Sequence, residues 1–166
     1  MTKTTKSIVK TAVLAAVYAT LTLALAPISY GAIQFRISEI MVLLPFLGKE
    51  YILGLTLGCF LANVIGPYGV PDIILGTLAT LISTYLVYLT SKIMKYSILS
   101  LIIASLWPAL INAIIIGGML NVFMGMPLIL SMIQVGFGEF VVISIVGVPL
   151  FKIFYNKYGN LVKDVF

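Results

Sequence analysis

Long stretches without any charged side chain constrain this chain more than any other feature. The longest covers 43 residues, at 96–138, and three others cover residues 11–35, 51–71 and 73–91. A bilayer core about 30 Å thick takes roughly 20 apolar residues per helical crossing. Only 9% of the residues are charged, whereas soluble domains average roughly 25%. The sequence therefore predicts an all-α membrane protein, with residues 1–166 forming a single integral membrane domain.

The number of crossings depends on residues 37–48, an apolar stretch that is short for a bilayer span and could instead be re-entrant or interfacial. Cytoplasmic loops carry an excess of lysine and arginine. With six crossings, both termini and all nine lysines are cytoplasmic and only Arg36 lies outside, whereas five crossings divide the lysines three against six. The lysines are Lys3, Lys6, Lys10, Lys49, Lys92, Lys95, Lys152, Lys157 and Lys163. We therefore predict six transmembrane helices with cytoplasmic termini, at residues 7–26, 37–48, 51–67, 72–91, 97–120 and 128–152.

The residue types and motifs that the sequence lacks exclude several kinds of chemistry. The chain has no histidine, which removes histidine-based nucleophilic triads and most zinc or haem sites. It has no GxxxxGK[ST] phosphate loop, so any ATP would be hydrolysed by another chain. The single cysteine, Cys59, lies in an apolar run and is expected to pack as a small hydrophobe. The ten basic residues outnumber the five acidic ones, but the basic residues flank apolar segments, as cytoplasmic loops of membrane proteins do, and so do not indicate a nucleic-acid partner. We expect no enzyme activity, metal or cofactor.

Polar residues inside the predicted helices outline a site that opens outward. The outward connections all contain proline or glycine, as turns require, and comprise residues 27–38, 66–72 and 121–127. At about 1.5 Å per helical residue, Asp72 lies at the rim, Asn63 a turn below it, Asn112 and Gln134 about 10 Å deep, and Glu139 near the midplane. A mid-membrane carboxylate costs at least about 2.5 kcal/mol, which favours a functional role for Glu139. The amides could equally be hydrogen-bond partners between helices.

Two further patterns have simpler structural explanations. Arg36 and Glu39, three residues apart, could form an exposed salt bridge of little energetic weight, although their place at the longest outward connection favours a lid or ligand contact. Gly54 and Gly58 form a GxxxG pair, which lets helices approach closely. We expect this pair to pack within the molecule.

Three blocks of the sequence resemble the queuosine precursor transporter (QueT) family. They read APISYGAIQFRISE at residues 26–39, LGCFLAN at 57–63 and DIILGTLATL at 72–81. The resemblance implies the substrate-binding (S) component of an energy-coupling factor (ECF) transporter: six helices in the bacterial plasma membrane, and an outward pocket roofed by the outward connections. The implied partners are a coupling subunit and two ATPase subunits. An AxxxA stripe on the first helix, matched by Ala12 and Ala16, would dock on the coupling subunit.

The ligand implied by the resemblance is a 7-deazaguanine base, such as the prequeuosine base or queuine. A guanine-like edge presents an N–H beside an amine, and one carboxylate can accept both hydrogen bonds. Glu139 is our choice for that carboxylate. Amides satisfy ring donors and acceptors, and stacking on an aromatic side chain contributes roughly 1–3 kcal/mol per base. The remaining predicted contacts are Asn63, Asn112, Gln134, Arg36, Glu39, Asp72, Phe35, Tyr30 and Trp107.

Two other functions stay open from the sequence. An ECF S component could bind a different small vitamin. A self-sufficient proton-coupled carrier could instead use Glu139 as its titrating group, although the chain shows no evident inverted repeat of the kind common in such carriers. A membrane-embedded hydrolase lacks the required nucleophile and base.

Overall fold

Every regular element in the part of the chain that the structure describes is a helix. The structure is a computed structural model that describes the backbone of residues 2–31 and 33–165 and the side chains of residues 2, 4–31 and 33–157. Its elements are α1 (Lys3–Ala24), α2 (Ala26–Ser29), a 3-10 helix (Ile37–Phe46), α3 (Glu50–Ile65), α4 (Val70–Met94), α5 (Ile98–Met124), α6 (Leu128–Glu139), a π segment (Phe140–Gly147) and α7 (Val148–Val165). The prediction of an all-α protein is confirmed for these residues. The side chains of Lys3 and Lys163, used in the topology argument, lie outside the described set.

Four helices in the described chain are long and apolar enough to cross a membrane. They span Thr4–Ala24, Val70–Met94, Ile98–Met124 and Leu128–Lys157. The two remaining predicted crossings are shorter apolar helices. The 3-10 helix has 10 residues and α3 has 16, which at about 2.0 and 1.5 Å per residue give lengths of about 20 and 24 Å. Six crossings with cytoplasmic termini therefore stay a prediction.

Helix boundaries follow local sequence signals. The side chain of Ser97 accepts a hydrogen bond from the backbone N–H of Ser100, and the backbone N–H of Ser97 donates one to the side chain of Ser100, so a capping box starts α5. The same helix ends at Gly125, whose φ of 69° is left-handed. Gly69, with φ 67°, precedes α4, and Pro71 lies in its first turn. These residues fix where the connections turn.

The 3-10 helix is enclosed by the rest of the bundle. It contacts α1, α3, α4, α5, α7 and the π segment, and none of its side chains is exposed. Runs of 3-10 helix beyond 3–4 residues are uncommon, so surrounding tertiary contacts must hold this one. The apolar stretch predicted as the second crossing is thus the central element of the fold.

The outer helices pack in chain order around this centre. Contacts join α1 to α3, α3 to α4, α4 to α5 and α5 to α6. A Cβ added to Gly58 would lie 2.7 Å from Cβ of Tyr18, and one added to Gly54 would lie 2.9 Å from Leu14. Both glycines therefore permit close approach of α3 to α1. The prediction that the pair packs within the molecule is confirmed.

Candidate functional site

Four charged side chains from separate parts of the chain are buried inside the bundle. Their relative exposures are 7% for Arg36, 1% for Glu39, 1% for Asp72 and 4% for Glu139. All other charged side chains that the structure describes are partly or fully exposed. Burying charge costs several kcal/mol per ion unless partners compensate, and intramembrane ionisable residues are typical of functional sites. Asp72, predicted at the rim, is thus buried as well.

Glu39 has the most partners of the three buried carboxylates. The hydroxyl of Tyr18, on α1, donates a hydrogen bond to Oε1 of Glu39. Nη1 of Arg36 lies 3.9 Å from the same oxygen, and its Cζ lies 5.4 Å from the ring centroid of Tyr30, within cation–π range. Oε2 of Glu39 is buried and has no hydrogen-bond partner among the described residues. The alternative of an exposed salt bridge is therefore wrong, because Arg36 and Glu39 are paired but both buried.

Cys59 lies where the apolar core meets the polar cluster. Its Sγ is 3.4 Å from Nδ2 of Asn63, 3.7 Å from the carbonyl oxygen of Gly76 and 3.9 Å from Nη1 of Arg36. The same residue belongs to an apolar cluster that includes Leu55. The expectation that Cys59 packs as a small hydrophobe describes only one side of its surroundings.

Asn63 and Asp72 meet where α3 packs against α4. Nδ2 of Asn63 donates a 3.0 Å hydrogen bond to the backbone carbonyl of Asp72. A Cβ on Gly76 would lie 2.5 Å from Nδ2 of Asn63 and 2.7 Å from Oδ1 of Asp72, so the glycine leaves room for both side chains. Oδ1 of Asn63 and Oδ2 of Asp72 are buried and, within the described chain, unpartnered.

Glu139 ends α6 immediately before the π segment. Such π-helical turns occur frequently at functional sites. Its Oε2 is buried and receives no hydrogen bond from the described residues. The preceding Gly138 packs against the carbonyl oxygens of Ile33 and Gln34, and the π segment contacts the 3-10 helix that carries Glu39. Glu139 therefore lies on the side of α6 that meets this cluster, and no cationic nitrogen of the described residues lies within 4.0 Å of it.

The connection between α2 and the 3-10 helix covers the cluster. Tyr30 anchors one end by donating a 2.7 Å hydrogen bond to the carbonyl of Ala62; burial raises the pKa of this hydroxyl, while Arg36 opposes the shift. At Gly138 an added Cβ would lie 2.5 Å from the carbonyl oxygen of Ile33, so the connection rests directly on α6. Gln34 is buried with φ 23°, a conformation uncommon for residues other than glycine and often found at functional sites.

Other predicted site residues have different surroundings. Asn112 is buried on α5 and Gln134 is half-buried on α6, and neither side chain makes a hydrogen bond among the described residues. Phe35 packs against the apolar core. Trp107 donates a 2.9 Å hydrogen bond from Nε1 to Oγ1 of Thr90 and lines an apolar groove of about 540 Å³ between α5 and α6. The structure thus gathers one group of the predicted residues: Tyr30, Arg36, Glu39, Asn63, Asp72 and Glu139.

Sequence reasoning missed two participants, Tyr18 and Gln34. A tyrosine in the middle of an apolar helix requires a partner for its hydroxyl when buried, which is the signal that could have identified Tyr18. Its partner is 21 residues away, so the sequence could not name it. Gln34 becomes notable only through its backbone conformation.

Comparison with known proteins identifies the family. Residues 8–156 match the QueT transporter family. Over 80 residues the chain is 44% identical to the "Queuosine precursor transporter QueT" of Lactococcus lactis subsp. cremoris (strain MG1363), a match covering 47% of this chain and 47% of that relative. The matched stretch therefore spans about half the length of the relative. No solved structure matches the chain. Since the family match covers most of its residues, the chain belongs to the QueT transporter family, a family of transporters and not of enzymes.

Proposed function

We propose that this chain is the substrate-binding component of an ECF-type importer in the bacterial plasma membrane, and that it captures a 7-deazaguanine queuosine precursor at the outer face. The family and the function of the Lactococcus lactis relative support a queuosine precursor as the cargo. The observation that carries the site is a set of buried acceptors without partners in the described chain: Oε2 of Glu39, Oδ1 of Asn63, Oδ2 of Asp72 and Oε2 of Glu139. Each such group costs about 1–3 kcal/mol, which a bound ligand would offset.

Glu139 fits the guanine-like edge best. Neither of its oxygens accepts a hydrogen bond from the described residues, whereas one oxygen of Glu39 already accepts from Tyr18. A carboxylate can accept from the ring N–H and the exocyclic amine together, one through each oxygen. The carbonyl oxygen of Asn63 has no hydrogen-bond partner in the described chain, and Asn63, Asn112 and Gln134 are the amide contacts in this proposal.

Capture requires the covering connection to move. The four buried charged side chains are at most 7% exposed, so a base cannot reach them in this conformation. The described residues of this connection, 30, 31 and 33–36, carry both Tyr30 and Arg36. They contact α3 and α6, the 3-10 helix through Glu39, and Tyr68 before α4. Displacement of this connection would uncover the ring of Tyr30 for stacking, and closure would return Arg36 over the bound base.

The exposed face of α1 supports docking to a coupling subunit. Ala12 and Ala16 are exposed, whereas Ala15 and Ala19, on the adjoining face of the helix, are buried. A smooth alanine surface allows another helix to approach closely. In this proposal, Ala12 and Ala16 contact the coupling subunit, which together with two ATPases supplies the energy for uptake.

A proton-coupled carrier is the second candidate, because Glu139 is a buried carboxyl without a hydrogen-bond partner on Oε2 in the described chain. A transport assay in liposomes distinguishes these two candidate functions. The ECF proposal predicts that the chain alone binds the base but does not transport it, and that uptake requires the coupling subunit, ATPases and ATP. Uptake by the chain alone, driven by a pH gradient, would favour the carrier.

Calorimetric titration of the purified protein tests the site. We expect 7-deazaguanine bases to bind, and Glu139→Gln to weaken binding at least about tenfold, because an amide cannot accept both hydrogen bonds of the edge. Glu50→Gln is the matched control, since Glu50 is exposed at the start of α3. Vitamins bound in preference to every 7-deazaguanine would support an S component of another specificity. Unchanged affinity of the Glu139 variant would remove that residue from the site.

A further inference from the structure

The buried cluster is strongly unbalanced in charge. Among the described residues, one buried guanidinium, Arg36, faces three buried carboxyl groups, those of Glu39, Asp72 and Glu139. A buried charge without a compensating partner is costly in a medium of low dielectric constant. Bound protons or a cationic ligand must therefore supply positive charge when the site is occupied.

Unpartnered hydrogen-bond acceptors also outnumber unpartnered donors in this cluster. Four acceptor atoms on the carboxylates and Asn63 are buried without partners, whereas Nε of Arg36 is the one unpartnered N–H among the buried groups of the described chain. Unpartnered hydroxyls, such as that of Ser131, can act in either direction. A ligand that complements this site brings several donors and few acceptors.

The three carboxylates are not equivalent. Glu39 has Tyr18 as a hydrogen-bond donor and Arg36 as a nearby cation. Neither Asp72 nor Glu139 has a cationic nitrogen within 4.0 Å in the described structure. Asp72 lies in the first turn of α4, where the partial positive charge of a helix N-terminus stabilises an ionised carboxylate. Two carboxylates are therefore left to meet positive or donor groups of a ligand.

Among 7-deazaguanine bases, one chemical class offers two such groups. A base with an aminomethyl substituent on its five-membered ring has the guanine-like donor edge at one end and an ammonium at the other. We propose that the site selects this cationic class over the neutral nitrile class, with Asp72 as the counter-ion of the ammonium and Glu139 as the acceptor of the edge. A nitrile would instead place a further acceptor among unpartnered carboxylates and add no positive charge. This inference rests on the proposed function.

The test compares two ligands on the same protein. Calorimetric titrations of the detergent-solubilised full chain with 7-aminomethyl-7-deazaguanine and 7-cyano-7-deazaguanine should show tighter binding of the aminomethyl base by about tenfold or more, the usual strength of a charge-assisted pair. Asp72→Asn should reduce that preference to within about threefold by weakening only the aminomethyl base. Glu139→Gln should weaken both bases alike, and Glu50→Gln should change neither. Thermal unfolding of each variant verifies that it is folded.

Each alternative result has a definite meaning. Equal or tighter binding of the cyano base by the unmodified protein would overturn the inference while leaving the proposed function intact. An equal loss for both bases in Asp72→Asn, in a protein that unfolds at the normal temperature, would overturn the assignment of Asp72. Binding of neither base, and of no queuine either, would refute the proposed function itself.

Discussion

Replacing Gly76 by alanine tests whether the contact between α3 and α4 forms part of the ligand site. The added Cβ would lie 2.5 Å from Nδ2 of Asn63 and 2.7 Å from Oδ1 of Asp72. Ordinary van der Waals contacts of carbon begin at about 3.5 Å, so both polar side chains must move by about 1 Å. Such a movement breaks the 3.0 Å hydrogen bond that Asn63 donates to the Asp72 carbonyl.

The effects on stability and on ligand binding should differ. Alanine is favoured over glycine in a helix by about 1 kcal/mol, and the lost hydrogen bond costs about 1 kcal/mol. These terms nearly cancel, so we expect the free energy of unfolding to change little. Ligand affinity should fall about tenfold or more, because two predicted contact groups are displaced and each contributes about 0.5–1.5 kcal/mol.

Gly118→Ala is the matched control for this substitution. Gly118 lies within α5, and a Cβ there would have no heavy atom within 4 Å. This variant should bind the base normally and be slightly stabilised. Calorimetric titration and thermal unfolding of both variants give the comparison. Normal affinity in folded Gly76→Ala protein would refute the placement of Asn63 and Asp72 in the site.

Two further predictions address α1. Tyr18→Phe removes the hydroxyl that donates to Glu39 and should lower the free energy of unfolding by about 1.5–3 kcal/mol, as expected for a hydrogen bond to a charged group. Tyr85→Phe, at an exposed position, is the control, and equal thermal unfolding of the two variants would contradict a structural role for the Tyr18 hydroxyl. Ala16→Trp should leave base binding unchanged but abolish uptake by the complete transporter, since a large side chain prevents close helix docking. Ile114→Trp, on an exposed face of α5, should transport normally; normal uptake by Ala16→Trp would exclude that surface from docking.

Charge distribution in the sequence was sufficient to predict a large part of the fold. Uncharged stretches of membrane-spanning length predict helices because a backbone in lipid must satisfy its own hydrogen bonds. Proline and glycine mark connections such as that before α4. The same reasoning selected Glu139, since a carboxylate within an apolar helix is costly to retain without a function.

Tertiary structure alone decided which side chains meet. The depth of a residue along a helix can be counted from the sequence. Which way its side chain points, and which side chain it meets, depend on how the helices pack. Helices that are apolar on all faces have little hydrophobic periodicity from which to predict this. The partnership of Tyr18 with Glu39, the polar side of Cys59 and the separation of Trp107 from the cluster follow from that packing. The 3-10 helix is the clearest case. Its sequence predicts a short apolar segment, whereas its conformation and central position depend on the surrounding elements. Sequence thus determined that charged groups enter the membrane domain, and packing determined that four of them lie buried together around the same centre.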